Sequence, residues 1–415
     1  MTGCKLLNCT LISDFHFDKD KMSLSWDELL VGTSTSIWNN NGYIEMKVPN
    51  ENDRVIRQTK EYYRAKGNKI IKAQFTSVLN INTSVQIGNG VTSMVGMYDD
   101  HNDKIDNGNS GFFFEYTLTD GTGNITHPLK VGIRYGVIDI GIDSVTDQYS
   151  FNINSINQNS GLSILDWSKI YTYEIKYNAI GYVEWSIYLD GEKLLLHREN
   201  NISKILNTLP TFNIPMRFEI INEEFGSNSS INEMRQFNAS LCTEDNFSTS
   251  LCDPNTISTD QLKHLSELSK QIYTINTYDY EPLFSFRLKN EFRRDTIRIY
   301  EFFYLVHKKG PFSYAIIRNA DLTTGNTPIW IDPGVTCKIE YDINANIAIN
   351  ISDCLYEQFV DANCYSGIHN NGSRICVLPS PLASDIIGNT DIFTIVIRKQ
   401  SEKKITLNIG LRWVQ

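Results

Sequence analysis

The densest group of possible metal ligands in this sequence lies in one short polar stretch. Asp99, Asp103 and Asp106 stand close together between an apolar segment and an Asn-Gly-Asn run. Closely spaced carboxylate oxygens are the ligands that Ca²⁺ accepts, although the order here departs from that of an EF-hand loop. A solvated turn between two strands would have the same composition. The stretch is therefore open to two interpretations, a calcium site or an ordinary turn.

A second set of possible ligands is the pair Asp14 and His16 near the N-terminus. It resembles the Asp-x-His opening of metallophosphoesterases, where the two side chains bind one metal of a two-metal centre. That chemistry also needs a Gly-Asp turn and an Asn-His pair further along, and the sequence has neither. We therefore predict no metal centre and no cofactor for this chain.

Other catalytic signatures are also missing from the sequence. It contains no Gly-x-Ser-x-Gly elbow, no phosphate-binding Walker loop and no Gly-x-Gly-x-x-Gly run. Its net charge of -10 argues against a nucleic-acid partner, because affinity for phosphates depends on clustered Lys and Arg. The N-terminal residues lack the basic start and apolar run of a signal peptide or membrane span. We predict a protein that is not an enzyme, binds no nucleic acid and has no membrane span.

Composition and apolar spacing favour strands throughout. The 415 residues are rich in Asn, Ile, Ser, Thr and Tyr and poor in Ala. Strict alternation over Tyr171–Tyr177 and Val183–Leu189, with an Asp190-Gly191 turn before the next strand, predicts a three-strand meander. On the second of these strands, Trp185 is predicted to lie in the core. Eight cysteines without metal-ligand spacing predict buried thiols, with late oxidation as the alternative.

The fold class predicted from these patterns is all-β, with two jelly-roll-like β-sandwich domains joined by a short helical linker. Apolar residues at helical spacing over 258–272 predict the only substantial helix. The predicted organisation consists of an N-terminal arm with first strands (1–56), a concanavalin-like sandwich (57–226), a polar linker with one helix (227–277) and a C-terminal sandwich (278–415).

The meander with its flanks, residues 166–178 and 183–191, resembles the core of concanavalin-A-like jelly rolls, including laminarinase-type glycosidases. Those retaining glycosidases carry two catalytic carboxylates on one strand. The nearest match is the segment 137–143, in which Asp139 could stand for the central carboxylate. Val137 occupies the position of the nucleophile and Gly141 or Ile142 that of the acid/base. The resemblance thus implies the fold and leaves a glycosidase only as a second alternative.

A longer resemblance covers residues 57–222, which are similar to a lectin-like module of virion proteins in tailed phages and large DNA viruses. The similar segments are 57–63, 67–69, 95–99, 131–134, 165–167, 181–183, 189–191 with His197, 209–210 and 214–219. Segments 283–288, 294–297 and 394–396, with Trp330, look like the β-domain that often follows the module. The chain departs from the family pattern at 178–181 and in the insertion-like loop 99–109.

The virion resemblance implies a structural role as a minor capsid, cement or fibre-base protein. Its partners would be major capsid or fibre subunits and further copies of itself, with a trimer as the first expectation. The expected location is the virion, after synthesis in the host cytoplasm. The alternative is a carbohydrate-binding attachment module that recognises a surface glycan. Aromatic rings that could stack on a sugar, or instead fill the core, are Tyr62, Tyr63, Tyr98 and Trp167.

Overall fold

A computed structural model describes most of the chain. The described ranges are 10–64, 70–81, 90–99, 110–117, 129–135, 168–178, 181–200, 213–222, 232–244, 273–275, 278–293, 295–308, 310–319, 328–332, 337–342, 354–361, 382–402 and 405–414. These ranges contain strands and one short 3-10 turn, Asn290–Phe292, but no α-helix. The chain forms two compact units, Met1–Thr249 and Ser250–Gln415. The all-β fold class predicted from the sequence is confirmed.

The first unit has sixteen described strands. They are β1 Thr10–His16, β2 Trp26–Val31, β3 Thr35–Asn39, β4 Tyr43–Lys47, β5 Arg54–Thr59, β6 Tyr63–Arg64, β7 Ile70–Val78, β8 Val91–Tyr98, β9 Ser110–Thr117, β10 Leu129–Tyr135, β11 Tyr171–Asn178, β12 Val183–Leu189, β13 Glu192–Glu199, β14 Asn213–Ile214, β15 Met216–Asn222 and β16 Glu233–Thr243.

Two large antiparallel sheets form the sandwich of the first unit. The eight-stranded sheet has the order β13-β12-β11-β7-β16-β4-β3, with β1 also paired to β16. The six-stranded sheet has the order β10-β9-β8-β15-β5-β2. Apolar side chains from both sheets meet between them. For example, the Phe75 ring of β7 lies 5.5 Å from the Phe218 ring of β15.

The predicted meander is confirmed as β11, β12 and β13. Asp190 and Gly191 both have positive φ, 50° and 87°, as a two-residue type I′ turn requires. Trp185 is buried in the core with its ring against Phe112, as predicted. Glu174 lies on the polar side of the alternation in β11, yet it is also buried.

The structure corrects the predicted boundaries of the first sandwich. Strands β1 to β4, assigned to an N-terminal arm, are members of the two sheets or pair directly with them. Residues 233–243, assigned to the polar linker, form β16, which is hydrogen-bonded to β7 near the middle of the eight-stranded sheet. The polar composition of this segment indicated a linker, and that prediction was wrong. A strand between two neighbours forms its backbone hydrogen bonds with strands that are distant in sequence, and local composition does not show them. The helix predicted over 258–272 lies outside the described residues.

The second unit contains a five-stranded and a three-stranded sheet. The strands are β17 Tyr273–Ile275, β18 Glu281–Leu288, β19 Arg298–Lys308, β20 Phe312–Arg318, β21 Ile339–Asp342, β22 Cys354–Val360, β23 Ile392–Lys399 and β24 Ile405–Val414. The order is β21-β18-β23-β20-β22 in the five-stranded sheet and β17-β24-β19 in the three-stranded sheet. Ile405 of β24 joins the apolar cluster of the five-stranded sheet, which includes Phe286 and Phe393.

The three cysteines among the described residues are in two chemical states. Cys337 and Cys354 are free thiols, and burial raises the pKa of each. Cys242 is buried on β16 and forms a disulfide. The expectation of free thiols is therefore wrong for Cys242, and the alternative of oxidation holds there. Among the described residues, no helix is long and apolar enough to cross a membrane.

Candidate functional site

A row of polar side chains lies on the face of the six-stranded sheet that points away from the core. Strand β15 shows why. Phe218 and Ile220 enter the core, so Arg217 and Glu219 project to the opposite face. Despite this outward direction, both charged side chains are almost completely buried, at 0% and 1% exposure. We name this row the polar layer; its members are Arg54, Gln58, Tyr62, Tyr98, Asp99, Arg217 and Glu219.

Glu219 is the centre of the polar layer. Its Oε1 accepts hydrogen bonds from Arg54, with Nε at 2.8 Å and Nη2 at 2.6 Å. Its Oε2 lies 3.0 Å from Arg217 Nε and accepts a hydrogen bond from the Tyr98 hydroxyl at 3.2 Å. The Arg217 guanidinium also lies over the Tyr98 ring, 5.1 Å from its centroid. Both carboxylate oxygens are thus held by charge-assisted hydrogen bonds or ion pairs, which are the strong class.

The network continues from Arg217 toward a more exposed end. Arg217 Nη1 donates to Gln58 Oε1 at 3.3 Å, and Gln58 Nε2 donates to the Tyr62 hydroxyl at 3.1 Å. That hydroxyl in turn donates to Asp99 Oδ2 at 3.3 Å. Gln58 and Asp99 are buried, whereas the Tyr62 side chain is only half-buried. Solvent therefore reaches the layer at Tyr62.

The polar layer offers side chains that could bind a polar ligand. It offers two phenol rings, an amide, two carboxylates and two guanidinium groups, each in contact with its neighbours. Among the described residues, no group of three or more His, Cys, Asp and Glu side chains could hold a metal ion. The layer contains no Ser, Cys, Lys or His side chain that could act as a nucleophile with an adjacent base.

The four aromatic residues selected from the sequence have different positions. Tyr62 is half-buried at the open end of the layer. Tyr98 is fully buried within it, and Tyr63 is buried with its hydroxyl 3.2 Å from Ser13 Oγ. Neither of these two rings is exposed, so of the two alternatives left open by the sequence, burial describes both. Trp167 lies outside the described residues.

The candidate metal ligands are not brought together in the described part of the chain. Asp99 is buried and accepts the hydrogen bond from Tyr62, while Asp103 and Asp106 lie outside the described residues. Asp14 and His16 are exposed on β1 and contact each other, with Oδ2 and Nε2 3.1 Å apart. The segment with Asp139 and Asp143 is also outside the described residues.

Sequence reasoning missed Arg54, Gln58, Arg217 and Glu219 as members of a site. The signal was present in β15, where two charged residues alternate with large apolar ones inside a short strand. Such a pattern also describes a strand with one face in solvent, so alternation alone could not show that these charges are buried.

The comparisons with known proteins found similarity to solved structures alone. No protein-family model matches the sequence. No curated protein matches it either. Among solved structures, the chain is similar to the carbohydrate recognition domain of Emp47p, with 12% identity, a TM-score of 0.40, and coverage of 58% of this chain and 98% of that one.

Two further structures show the same level of similarity. Peanut lectin bound to a nine-residue peptide has 10% identity and a TM-score of 0.37, covering 56% of this chain and 97% of the lectin. A legume lectin-like domain from Entamoeba histolytica has 11% identity and a TM-score of 0.32, covering 56% and 98%. At such low identities and TM-scores, nothing about ligand or activity is transferred to this chain.

Proposed function

We propose that this chain is a non-enzymatic carbohydrate-binding module whose ligand binds at the Tyr62 end of the polar layer. The observation that carries the proposal is the half-buried Tyr62, whose hydroxyl joins the buried Gln58 amide to the buried Asp99 carboxylate. Sugars offer apolar C–H faces that stack on aromatic rings, and hydroxyls that pair with carboxylates and amides. Tyr62, Gln58 and Asp99 supply both kinds of partner in one place.

The rest of the polar layer supports this end of the site. Gln58 is oriented by Arg217, which is itself held by Glu219. Side chains that are fixed before the ligand arrives lose little conformational entropy on binding, so the same contacts give higher affinity. The buried ion pairs would then position the binding groups without touching the sugar.

A glycan array probed with the full chain tests the proposal. We expect a defined set of glycans to bind, and both Tyr62→Ala and Asp99→Asn to weaken that binding by about tenfold or more, a loss of about 1.4 kcal/mol. The matched control is Tyr182→Ala. Tyr182 is also half-buried, and Arg198 stacks on its ring at 4.2 Å, but it lies beside the eight-stranded sheet. The control should retain its affinity within about twofold.

Two results would contradict the carbohydrate proposal. One is the absence of glycan binding by correctly folded wild-type protein. The other is glycan binding that Tyr62→Ala and Asp99→Asn leave unchanged, since the ligand would then dock elsewhere. Release of reducing sugars from a bound polysaccharide would instead support the glycosidase alternative.

We also propose the virion structural role as a second candidate, because the two large sheets of the first unit end in four strands that could pair with other subunits. In the described topology, β13 and β3 end the eight-stranded sheet and β10 and β2 end the six-stranded sheet. Edge strands can pair with neighbouring subunits, which is compatible with oligomers, including the expected trimer. Mass spectrometry of purified particles and the mass of the chain in solution test this role and the predicted virion location. A monomer missing from particles would contradict both.

A further inference from the structure

Arg57 is an unusual residue within the first sandwich. It lies on the same face of β5 as Val55, whose side chain belongs to the core, and its exposure is only 1%. Its partner across the strand pair is Glu28 of β2. An arginine on a core-facing position requires partners for its charge and its five N–H groups, because an unpaired buried charge is strongly unfavourable.

Most of these donors are unused in the structure. Nη2 donates to the backbone carbonyl of Lys21 at 2.6 Å. Within the described part of the chain, Nε and Nη1 are buried and have no hydrogen-bond partner. The nearest carboxylate oxygen, Glu28 Oε2, lies 3.9 Å from Nη1, too far for a hydrogen bond.

A second unused donor lies close by. Trp26 is diagonal to Arg57 across the β2–β5 pair and faces the same way, and its indole Nε1 is buried with no hydrogen-bond partner among the described residues. Both side chains contact Phe17. The Arg57 Cζ atom lies 5.4 Å from the Phe17 ring centroid, and the Trp26 ring lies 5.3 Å from it. Three buried nitrogen donors that lack a hydrogen-bond partner among the described residues thus belong to two side chains that pack against one aromatic ring.

Glu28 compensates Arg57 only in part, because it is shared with a second cation. Both of its carboxylate oxygens accept hydrogen bonds from Lys21 Nζ, at 3.0 and 3.1 Å. This ion pair is partly exposed, whereas Arg57 is enclosed. Desolvation lowers the pKa of the Arg57 guanidinium to about 10, against an opposing effect of Glu28. The local chemistry has an excess of buried donors and positive charge.

We propose that Arg57 and Trp26 form a binding site for a small oxyanion, a carboxylate or a phosphate, beside Phe17. An oxyanion would accept from Trp26 Nε1 and from one edge of the Arg57 guanidinium, at Nε or at Nη1, because these two N–H donors point to different edges; it would supply the missing negative charge. The partly exposed Lys21–Glu28 pair marks the side from which solvent reaches this region. The site lies on the core-facing side of the sheet and does not depend on the proposed carbohydrate function.

Thermal unfolding of the full chain in low-millimolar phosphate or acetate tests the proposal, with chloride at equal ionic strength as the reference. In the wild type we expect Tm to rise with the logarithm of the anion concentration, by about 2 °C or more near saturation. Arg57→Met should abolish this rise while leaving Tm in chloride unchanged or higher, since the uncompensated charge is removed. A response to phosphate alone or acetate alone would identify the preferred oxyanion.

Two further variants distinguish binding from general salt effects and from loss of folding. Arg318→Met is the matched control, because Arg318 makes a bidentate pair with Asp391 at 2.8 Å; it should lower Tm in every buffer and retain the anion response. Glu28→Gln should bind phosphate or acetate more tightly in titration calorimetry, because a competing carboxylate is removed. The proposal is overturned if neither anion exceeds chloride, if Arg57→Met responds like the wild type, or if Glu28→Gln lowers Tm and binds no anion.

Discussion

Two buried glutamates, one on the outward face of each large sheet, have similar partners but different cations. On the eight-stranded sheet, Glu174 accepts from Lys193 Nζ at 2.6 Å, from Lys72 Nζ at 2.9 Å and from a tyrosine hydroxyl at 2.8 Å. On the six-stranded sheet, Glu219 is held by two arginines and the Tyr98 hydroxyl. Each carboxylate thus has two cations and one phenol.

The difference between lysine and arginine determines how far the charged groups on each face can move. The Lys193 side chain is 36% exposed, so its ammonium group can move into water on a flexible stem. Arg217 is fully buried, and its planar guanidinium is fixed by Glu219, Gln58 and the Tyr98 ring. The face with the lysines is therefore an adaptable surface, whereas the face with the arginines is a rigid layer suited to position a binding site.

The largest difference is expected when each carboxylate is neutralised. Glu219→Gln should lower the free energy of unfolding by about 3–5 kcal/mol, because the buried Arg217 loses a counter-charge. Glu174→Gln should cost about 1–2 kcal/mol, since water can solvate the released Lys193 ammonium group. Urea unfolding of both variants measures this contrast. Equal losses would mean that the two faces are equally rigid.

Removal of a tyrosine hydroxyl from each network should lower the free energy of unfolding by a smaller amount. Tyr98→Phe should cost about 1–3 kcal/mol, because Glu219 is enclosed and no water can replace the lost donor. Tyr188→Phe should cost less, since its partner Glu174 keeps hydrogen bonds from Lys193 and from Gln74. Chemical denaturation compares the two variants. A larger loss for Tyr188→Phe would reverse the proposed order of rigidity.

The pH dependence of stability tests how the lysines hold Glu174 on the eight-stranded sheet. Burial alone would raise the pKa of Glu174, but hydrogen bonds from Lys193 and Lys72 outweigh it and lower the pKa. A carboxylate whose pKa is lower in the folded state stabilises the fold above its unfolded pKa, and this contribution is lost as the pH falls through the folded value. The stability difference between wild type and Glu174→Gln should therefore shrink below about pH 5. A difference that stays constant with pH would contradict this assignment.

The smallest effect is expected at a tyrosine inside the core. Tyr177 is buried, and its hydroxyl has no hydrogen-bond partner among the described residues; burial raises its pKa. Because no bond is lost, Tyr177→Phe should change the free energy of unfolding by less than about 0.5 kcal/mol, or stabilise the protein slightly. It is the control for Tyr98→Phe. A loss as large as that of Tyr98→Phe would show that the hydroxyl has a bound partner such as water.

The local pattern of the sequence determined the all-β class, the meander of β11 to β13, its Asp190-Gly191 turn and the burial of Trp185. These features follow from residues close together in sequence. Alternation at period two selects a strand face, and an Asp-Gly pair adopts the positive φ angles of a tight turn. The sequence also indicated Tyr62 as a possible stacking ring and Asp99 as a possible calcium ligand, but not that the two side chains are in contact.

Only the tertiary structure decided which outward-facing charges are buried and which residues share a site. Glu219 meets Arg54 because β15 pairs with β5, 165 positions away, and β16 enters the first sandwich by pairing with β7 and β1. Alternation predicts which side of a strand a residue occupies, but it does not predict whether other residues cover that side. The burial of Arg57, Arg217 and Glu219 depends on long-range strand order, which local residue patterns do not contain.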